Sequence, residues 1–216
     1  RRSEATAAPT SAADGAALRS WFPATTGAPM VELERGGSGG GGDRPRKRVA
    51  VLFSGRQAPG GHNILCGLHD ALVASGGELI GIIGGTRGLL EQRTLPLPAE
   101  LLASYRNQGG FHALGRSADK LRTPAELEGA LVAVNKLRLD GVVVIGGPHT
   151  ASDAAHLAEF FASRQTEEGG LRTAVVAAPV TIDGDLRNQV RYSCGIRAAF
   201  VRHSLRYRRD SADRTL

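Results

Sequence analysis

The chain has 216 residues, 27 Lys and Arg against 21 Asp and Glu for a formal net charge of +6, and a hydrophobic share of 41%, below the roughly 45–50% of an average globular domain. No window approaches the run of about 18 apolar residues that a membrane helix needs, and no secretory signal opens it, which argues against a membrane-spanning or classically secreted protein. Two cysteines, Cys66 and Cys194, without CxxC or Cys/His ligand spacing, argue against a disulfide scaffold or zinc module and fit a reducing, cytoplasmic compartment.

Residues 1–47 read as a flexible lead-in, rich in Ala, Thr, Ser and Pro, with a Gly-rich linker at 36–42 and a closing basic cluster of Arg44, Arg46, Lys47 and Arg48. The pattern then becomes α/β over 48–200. Val49 to Phe53 is a continuous apolar run, as in a strand buried on both faces, and a loop with Gly55, Pro59, Gly60 and Gly61 follows. Ile64, Leu65, Leu68, Leu72 and Val73 recur at helical spacing until Gly76 and Gly77 stop them, and Leu79 to Ile83 predicts a second strand. Thr123 and Pro124 suit an N-cap and first helical position for an amphipathic helix through Leu137, followed by a strand at Gly141 to Ile145. A helix near Ala151 to Ala162, a strand at Ala174 to Ala178 and a helix at about Ile196 to Arg206 complete the alternation, before a basic tail at 201–216. Such alternation implies a doubly wound, mainly parallel sheet covered on both faces, whose ligands bind beyond the carboxyl ends of the strands.

Three loops belong at that edge: Ser54 to Asn63, Gly146 to Thr150 and Pro179 to Asp185. The glycines of the first sit where a strand turns into a helix, so backbone N–H groups can face a phosphate, although a plain tight turn uses the same residues. In the third, Asp183 and Asp185 lie two apart beside Thr181, on one side of an extended backbone. Such a pair can accept a proton from a hydroxyl and orient hydrated magnesium; its alternative is a solvated turn. His62 suits phosphate contact or helix capping equally, and a substitute-ligand role for His149 in the second loop is the weaker alternative, because Pro148 also reshapes the backbone there. The other histidines have no ligand spacing. The arginine-rich tail reads as a solvated face rather than a nucleic-acid site, since no recognised motif accompanies it.

Four stretches carry a resemblance: GRQAPGGHN at 55–63, YRNQGGF at 105–111, LDGVVVIGG at 139–147 and TIDGDL at 181–186. Through them the sequence resembles the phosphofructokinases, specifically the pyrophosphate-dependent branch of plants and algae, over roughly residues 18–200; FPATTGAP at 22–29 looks like the family's segment before its first strand. The resemblance implies a Rossmann-like, three-layer donor-site domain and phosphorylation of fructose-6-phosphate at C1 in glycolysis, with magnesium and pyrophosphate. It makes Asp183 the general base, places Asp185 and Thr181 around the phosphoryl group with Asp185 toward the metal, and assigns donor binding to Gly55, Gly60, Arg116 and Gly147.

Two departures accompany it. Where the family keeps acidic residues after the glycine pair, this chain has Pro148 and His149, and where the pyrophosphate branch keeps a lysine in the third loop it has Val180. Losing a donor that stabilises phosphoryl charge commonly costs a factor of about a hundred or more in turnover. The chain resembles the plant-type regulatory α subunit in GDLRNQ at 184–189 and DAAHLAE at 153–159. That likeness implies a catalytic β-type subunit as partner, in a hetero- or homo-oligomer, a response to fructose 2,6-bisphosphate, weak or absent catalysis by this chain, doubtful magnesium binding, and neither nucleic-acid nor membrane partners. The alternatives are a catalytic subunit with an altered magnesium site and a noncatalytic phosphate-binding or assembly module. Family members continue for several hundred residues with the groups that grip the sugar phosphate, so the chain, which begins without Met, reads as an N-terminal part whose divergent tail starts near Val201.

Overall fold

In the computed structural model of the chain, the described residues are 12–26, 46–165 and 173–182. The sheet is built from β1 (Arg48–Phe53), β2 (Glu78–Ile82), β3 (Thr94–Pro96), β4 (Gly141–Gly146) and β5 (Ala174–Pro179). Their order is β3-β2-β1-β4-β5, with β1 parallel to β2 and β4, β4 parallel to β5, and only β3 antiparallel. β1, β2, β4 and β5 sit within a residue of their expected positions.

Each central strand is a continuous apolar run because its alternate side chains enter two cores. Ala50, Leu52, Ile80, Ile82, Val142 and Val144 face one core with α3 (Gly85–Leu90), α5 (Pro124–Lys136) and α6 (Pro148–Gln165). Val51, Phe53, Leu79 and Ile145 face the other, with α2 (Gly61–Ala74), α4 (Ala99–Ala103) and the stretch around Phe111 and Leu114. The chain steps from β1 to β2 one way and from β4 to β5 the other, which for right-handed crossovers puts α2 and α6 on opposite faces. The switch in direction therefore lies between β1 and β4. Cover is incomplete at the edge, where Val176 of β5 is 53% exposed.

Helix ends follow their local chemistry. Thr123 accepts the Glu126 N–H while Glu126 accepts the Thr123 N–H, with Pro124 opening α5, a complete capping box. Gly76, at φ +71°, ends α2 in the left-handed region. The β3, α3 and α4 elements were not expected: the first is three residues long and ends in Pro96, and the other two are too short to show a period.

Part of the lead-in is ordered. Helix α1 (Ala12–Trp21) is followed by a turn whose backbone docks on α6, where the Glu159 carboxylate accepts the N–H groups of Ala24 (2.7 Å) and Thr25 (2.9 Å) and the Thr25 hydroxyl (2.7 Å). The Phe22 ring lies 5.1 Å from that of His156. Composition could not show this, because the anchor lies 134 residues away from Thr25. Among the described residues no helix is long and apolar enough to cross a membrane. The linker at 36–42, Cys194, the expected helix at 196–206 and the basic tail lie outside the described residues.

Candidate functional site

The loops after β1, β4 and β5 open side by side at the carboxyl edge, on either side of the switch, where open α/β sheets place their ligands. On the β1 side, Gly55 leaves the strand at φ +76°, a conformation that favours glycine. Its N–H donates to the Ser117 carbonyl at 3.0 Å, and Arg116 Nη1 donates to its carbonyl at 2.7 Å. The Gly55 N–H is thus already committed within the fold. Arg116 braces the loop from the exposed side, and its remaining guanidinium donors stay at the edge.

Behind Gly55, two of the family-like stretches interlock. A methyl group added at Gly61 would lie 2.4 Å from the Phe111 ring and 2.7 Å from the Gly110 carbonyl, and one added at Gly110 would lie 2.6 Å from Gln57 Nε2. The Phe111 ring stacks on Phe53 of β1 with centroids 4.6 Å apart. Gly60 precedes α2 with a helical backbone and no side-chain cap. Gly61 and Gly110 therefore permit close approach of the two stretches, and they are packing residues as much as ligand-facing ones.

His62 ties the same unit together. It is fully buried, and its Nε2 accepts the Ala113 N–H at 3.1 Å. The neutral ring then carries its proton on Nδ1, which faces the carbonyls of Gln108 and Gly109 without a bond of good geometry. The rings of His112 and Tyr105 lie 4.5 and 5.0 Å away. Burial, reinforced by His112, holds the imidazole down at about 4. His62 neither caps α2 nor reaches the open edge; it latches the 105–113 segment onto the helix.

Across the switch the frame is equally tight. The Val180 N–H donates to the Gly146 carbonyl at 2.9 Å, and Gly146 pairs with Pro179. A methyl group at Gly146 would meet the Ser54 carbonyl at 2.4 Å and Thr150 Oγ1 at 2.5 Å. Thr150, on the first turn of α6 and 3% exposed, donates to the Ser54 carbonyl at 3.2 Å, joining the two sides. The side chains on this half differ in kind. Pro148 and His149 are exposed at the start of α6, Val180 is buried in the α2-side core, and Thr181 is buried at the end of β5.

The structure thus brings Gly55, Arg116, Gly147 and Thr181 to one edge, with Gly60 at the far end of the first loop. Asp183 and Asp185 lie outside the described residues. The segments 54–60, 146–150 and 179–182 carry Arg56, Arg116's contact at Gly55, and His149, but no carboxylate. That edge suits an anion. Among the described residues no group of three or more His, Cys, Asp or Glu is arranged to hold a metal ion, and Pro148 supplies no side-chain oxygen. Sequence reading gave no role to Ser117, Ser54 or Thr150, whose contributions depend on contacts across the fold rather than on residue type.

Comparison with known proteins bears on the family and the fold. The phosphofructokinase family pattern matches residues 48–208, which includes the first part of the stretch read as a divergent tail. The chain is 45% identical over 175 residues to the α 2 subunit of pyrophosphate–fructose 6-phosphate 1-phosphotransferase of Arabidopsis thaliana, covering 78% of this chain and 28% of that protein. It is 38% identical over 170 residues to the β 2 subunit of the same plant, covering 78% of this chain and 29% of that protein. The crystal structure of Pichia pastoris phosphofructokinase in the T-state shares the fold, with a TM-score of 0.58 at 19% identity, covering 74% of this chain and 17% of the other. The chain thus spans less than a third of the length of these curated relatives.

Proposed function

The chain belongs to the phosphofructokinase family, and from that premise we propose that it is the donor-side domain of a regulatory, α-type subunit of a pyrophosphate-dependent phosphofructokinase. Its edge at β1, β4 and β5 receives the phosphoryl anion, with Gly55, Gly60, Gly147 and Arg116 around it. Fructose-6-phosphate and the transfer to its C1 hydroxyl belong to an assembly with a catalytic, β-type subunit. The observation that carries this reading is an intact loop frame with altered chemistry. Val180 N–H still bonds Gly146, and Thr150 still joins β1 to β4, while Pro148 and Val180 stand where an acid and an ammonium are expected. The greater identity to the α than to the β relative, 45% against 38%, points the same way.

Positive groups and helix ends can hold and orient a phosphoryl anion without themselves moving a proton. Asp183 and Asp185 are the residues to which proton acceptance and phosphoryl contact are assigned, by resemblance. The missing ammonium leaves the developing phosphoryl charge less stabilised, so turnover by this chain alone is low.

The test is co-expression of the 216-residue chain with a β-type subunit, followed by co-purification and assay with pyrophosphate, magnesium and fructose-6-phosphate. A stable complex, with turnover by the β-type subunit and none by the chain alone, is expected. Turnover by the purified chain comparable to that of the β-type subunit would overturn the regulatory reading, and failure to associate would overturn the partner.

A further inference from the structure

We propose that Thr150 is a positioning residue that sets the height of the β1 loop against the start of α6, and so holds the anion-facing edge in its binding shape. It deepens the proposed function and rests on the reading that this edge takes a phosphoryl anion.

Four observations meet at one side chain. Thr150 is almost completely buried, at 3% exposure, although it lies at the sheet edge where ligands would enter. Its hydroxyl donates to the Ser54 carbonyl, just past the end of β1 and 96 residues away in sequence. Its Oγ1 also crowds both flanking glycines: a methyl group at Gly55 would lie 2.8 Å from it, and one at Gly146 would lie 2.5 Å from it, next to the Ser54 carbonyl at 2.4 Å. Finally, the Gly55 peptide that follows Ser54 is held from the other side by Ser117 and Arg116. The hydroxyl therefore occupies the gap between the two loops, and Gly55 is clamped from opposite sides. Removing the hydroxyl while keeping the volume leaves the buried Ser54 carbonyl without that donor and frees Gly55 on one side. The loop carrying Arg56 and the carbonyl that orients Arg116 would then shift relative to α6.

Thr150→Val keeps the shape and deletes the donor; Thr150→Ser keeps the donor and deletes the methyl group. The 216-residue chain and both variants are compared, at a temperature where circular dichroism shows each fully folded, by hydrogen exchange at the Gly55 amide and by calorimetric titration with pyrophosphate. Val134→Ala, in the opposite core away from the edge, serves as a variant that destabilises without touching the loops. In Thr150→Val the Gly55 amide is expected to exchange about tenfold faster and pyrophosphate to bind about tenfold more weakly. Thr150→Ser returns both to within about threefold of the parent chain, and Val134→Ala leaves the affinity unchanged.

Equal affinity in Thr150→Val and the parent overturns the positioning role, as does an equal loss in Val134→Ala. If the parent chain binds no pyrophosphate, the anion reading itself fails. Gly55 exchange then decides on Thr150 alone: acceleration restored by serine supports the clamp, and unchanged exchange overturns it. Should Thr150→Val not fold, Thr150→Ser and Thr150→Ala are compared by the same two measurements, and failure to separate them overturns the proposal.

Discussion

The two halves of the carboxyl edge, one at β1 and the other at β4 and β5, are built to the same tolerance but populated differently. At β1 the loop, the start of α2 and the 105–117 segment are packed so closely that Gly61 and Gly110 leave no room for a methyl group. At β4 and β5 the backbone is fastened as firmly through Gly146, Val180 and Thr150, yet Pro148, His149 and the side chain at Val180 bring no acid or ammonium to the edge. The difference separates two kinds of constraint. Residues whose size is dictated by neighbouring backbone resist change whatever the protein does, whereas residues that supply only charge are open to replacement once the charge is not required.

The largest expected effect tests the first constraint. Gly61→Ala forces a methyl group against the Phe111 ring and the Gly110 carbonyl, and backbone cannot yield as a flexible side-chain end would. A loss of about 3 kcal/mol is expected in urea unfolding, against less than about 0.5 kcal/mol for Gly147→Ala, where the nearest atom is the Val180 carbonyl at 3.9 Å. Comparable losses at the two positions would erase the contrast between the halves.

Acid should strike the β1 half in its own pH window. The fold holds His62 neutral, so as pH falls below the ordinary 6.5 the unfolded chain binds a proton that the folded chain refuses. Stability therefore falls from about pH 6.5 down to about 4, where the folded ring itself titrates, by at most about 3 kcal/mol. His62→Gln should flatten this slope in unfolding curves taken across the window. Asp70 acts lower: its hydrogen bonds from Arg106, and then from His69, hold it at about 2, so its contribution is lost only between 3.8 and 2. A slope between pH 6.5 and 4 that survives His62→Gln would locate the acid sensitivity elsewhere.

The sheet was largely legible because buried strands leave continuous apolar runs, and Val49 to Phe53, Gly141 to Ile145 and Ala174 to Ala178 all appear as β1, β4 and β5. The sequence reading covers half of the capping box at Thr123: Thr and Pro supply the cap and first helical position, while Glu126, three residues on in the same local signature, is given no role. The stretches that mark the family were visible as words, but not their reason for coexisting: GRQAPGGHN and YRNQGGF are adjacent only in the fold, through Gly61, Phe111, His62 and Ala113. FPATTGAP and DAAHLAE are joined in the same way by Glu159. Contacts across 50 to 135 residues have no local signature, and for that reason the sequence assigns no individual role to Thr150 or Ser117.

The smaller effects lie on the β4 and β5 half, where restoring charge tests whether charge alone is missing. Val180→Lys places an ammonium at a position that is 1% exposed and packed in the α2-side core, and a loss of about 2 kcal/mol is expected unless the side chain reaches the edge. Pro148→Asp should cost almost nothing. Proline's fixed φ favours the first helical position, while aspartate gains from the helix dipole there, and the two terms oppose each other at similar size. Net stability should stay within about 0.5 kcal/mol of the parent in the same urea measurement. The informative readout is the ratio of pyrophosphate affinities with and without magnesium, which rises in Pro148→Asp if the missing acid is what separates this edge from a metal-dependent one. An unchanged ratio would move the cause of the altered chemistry from the side chain at 148 to the backbone that Pro148 begins, and the two halves would then differ in shape as well as in charge.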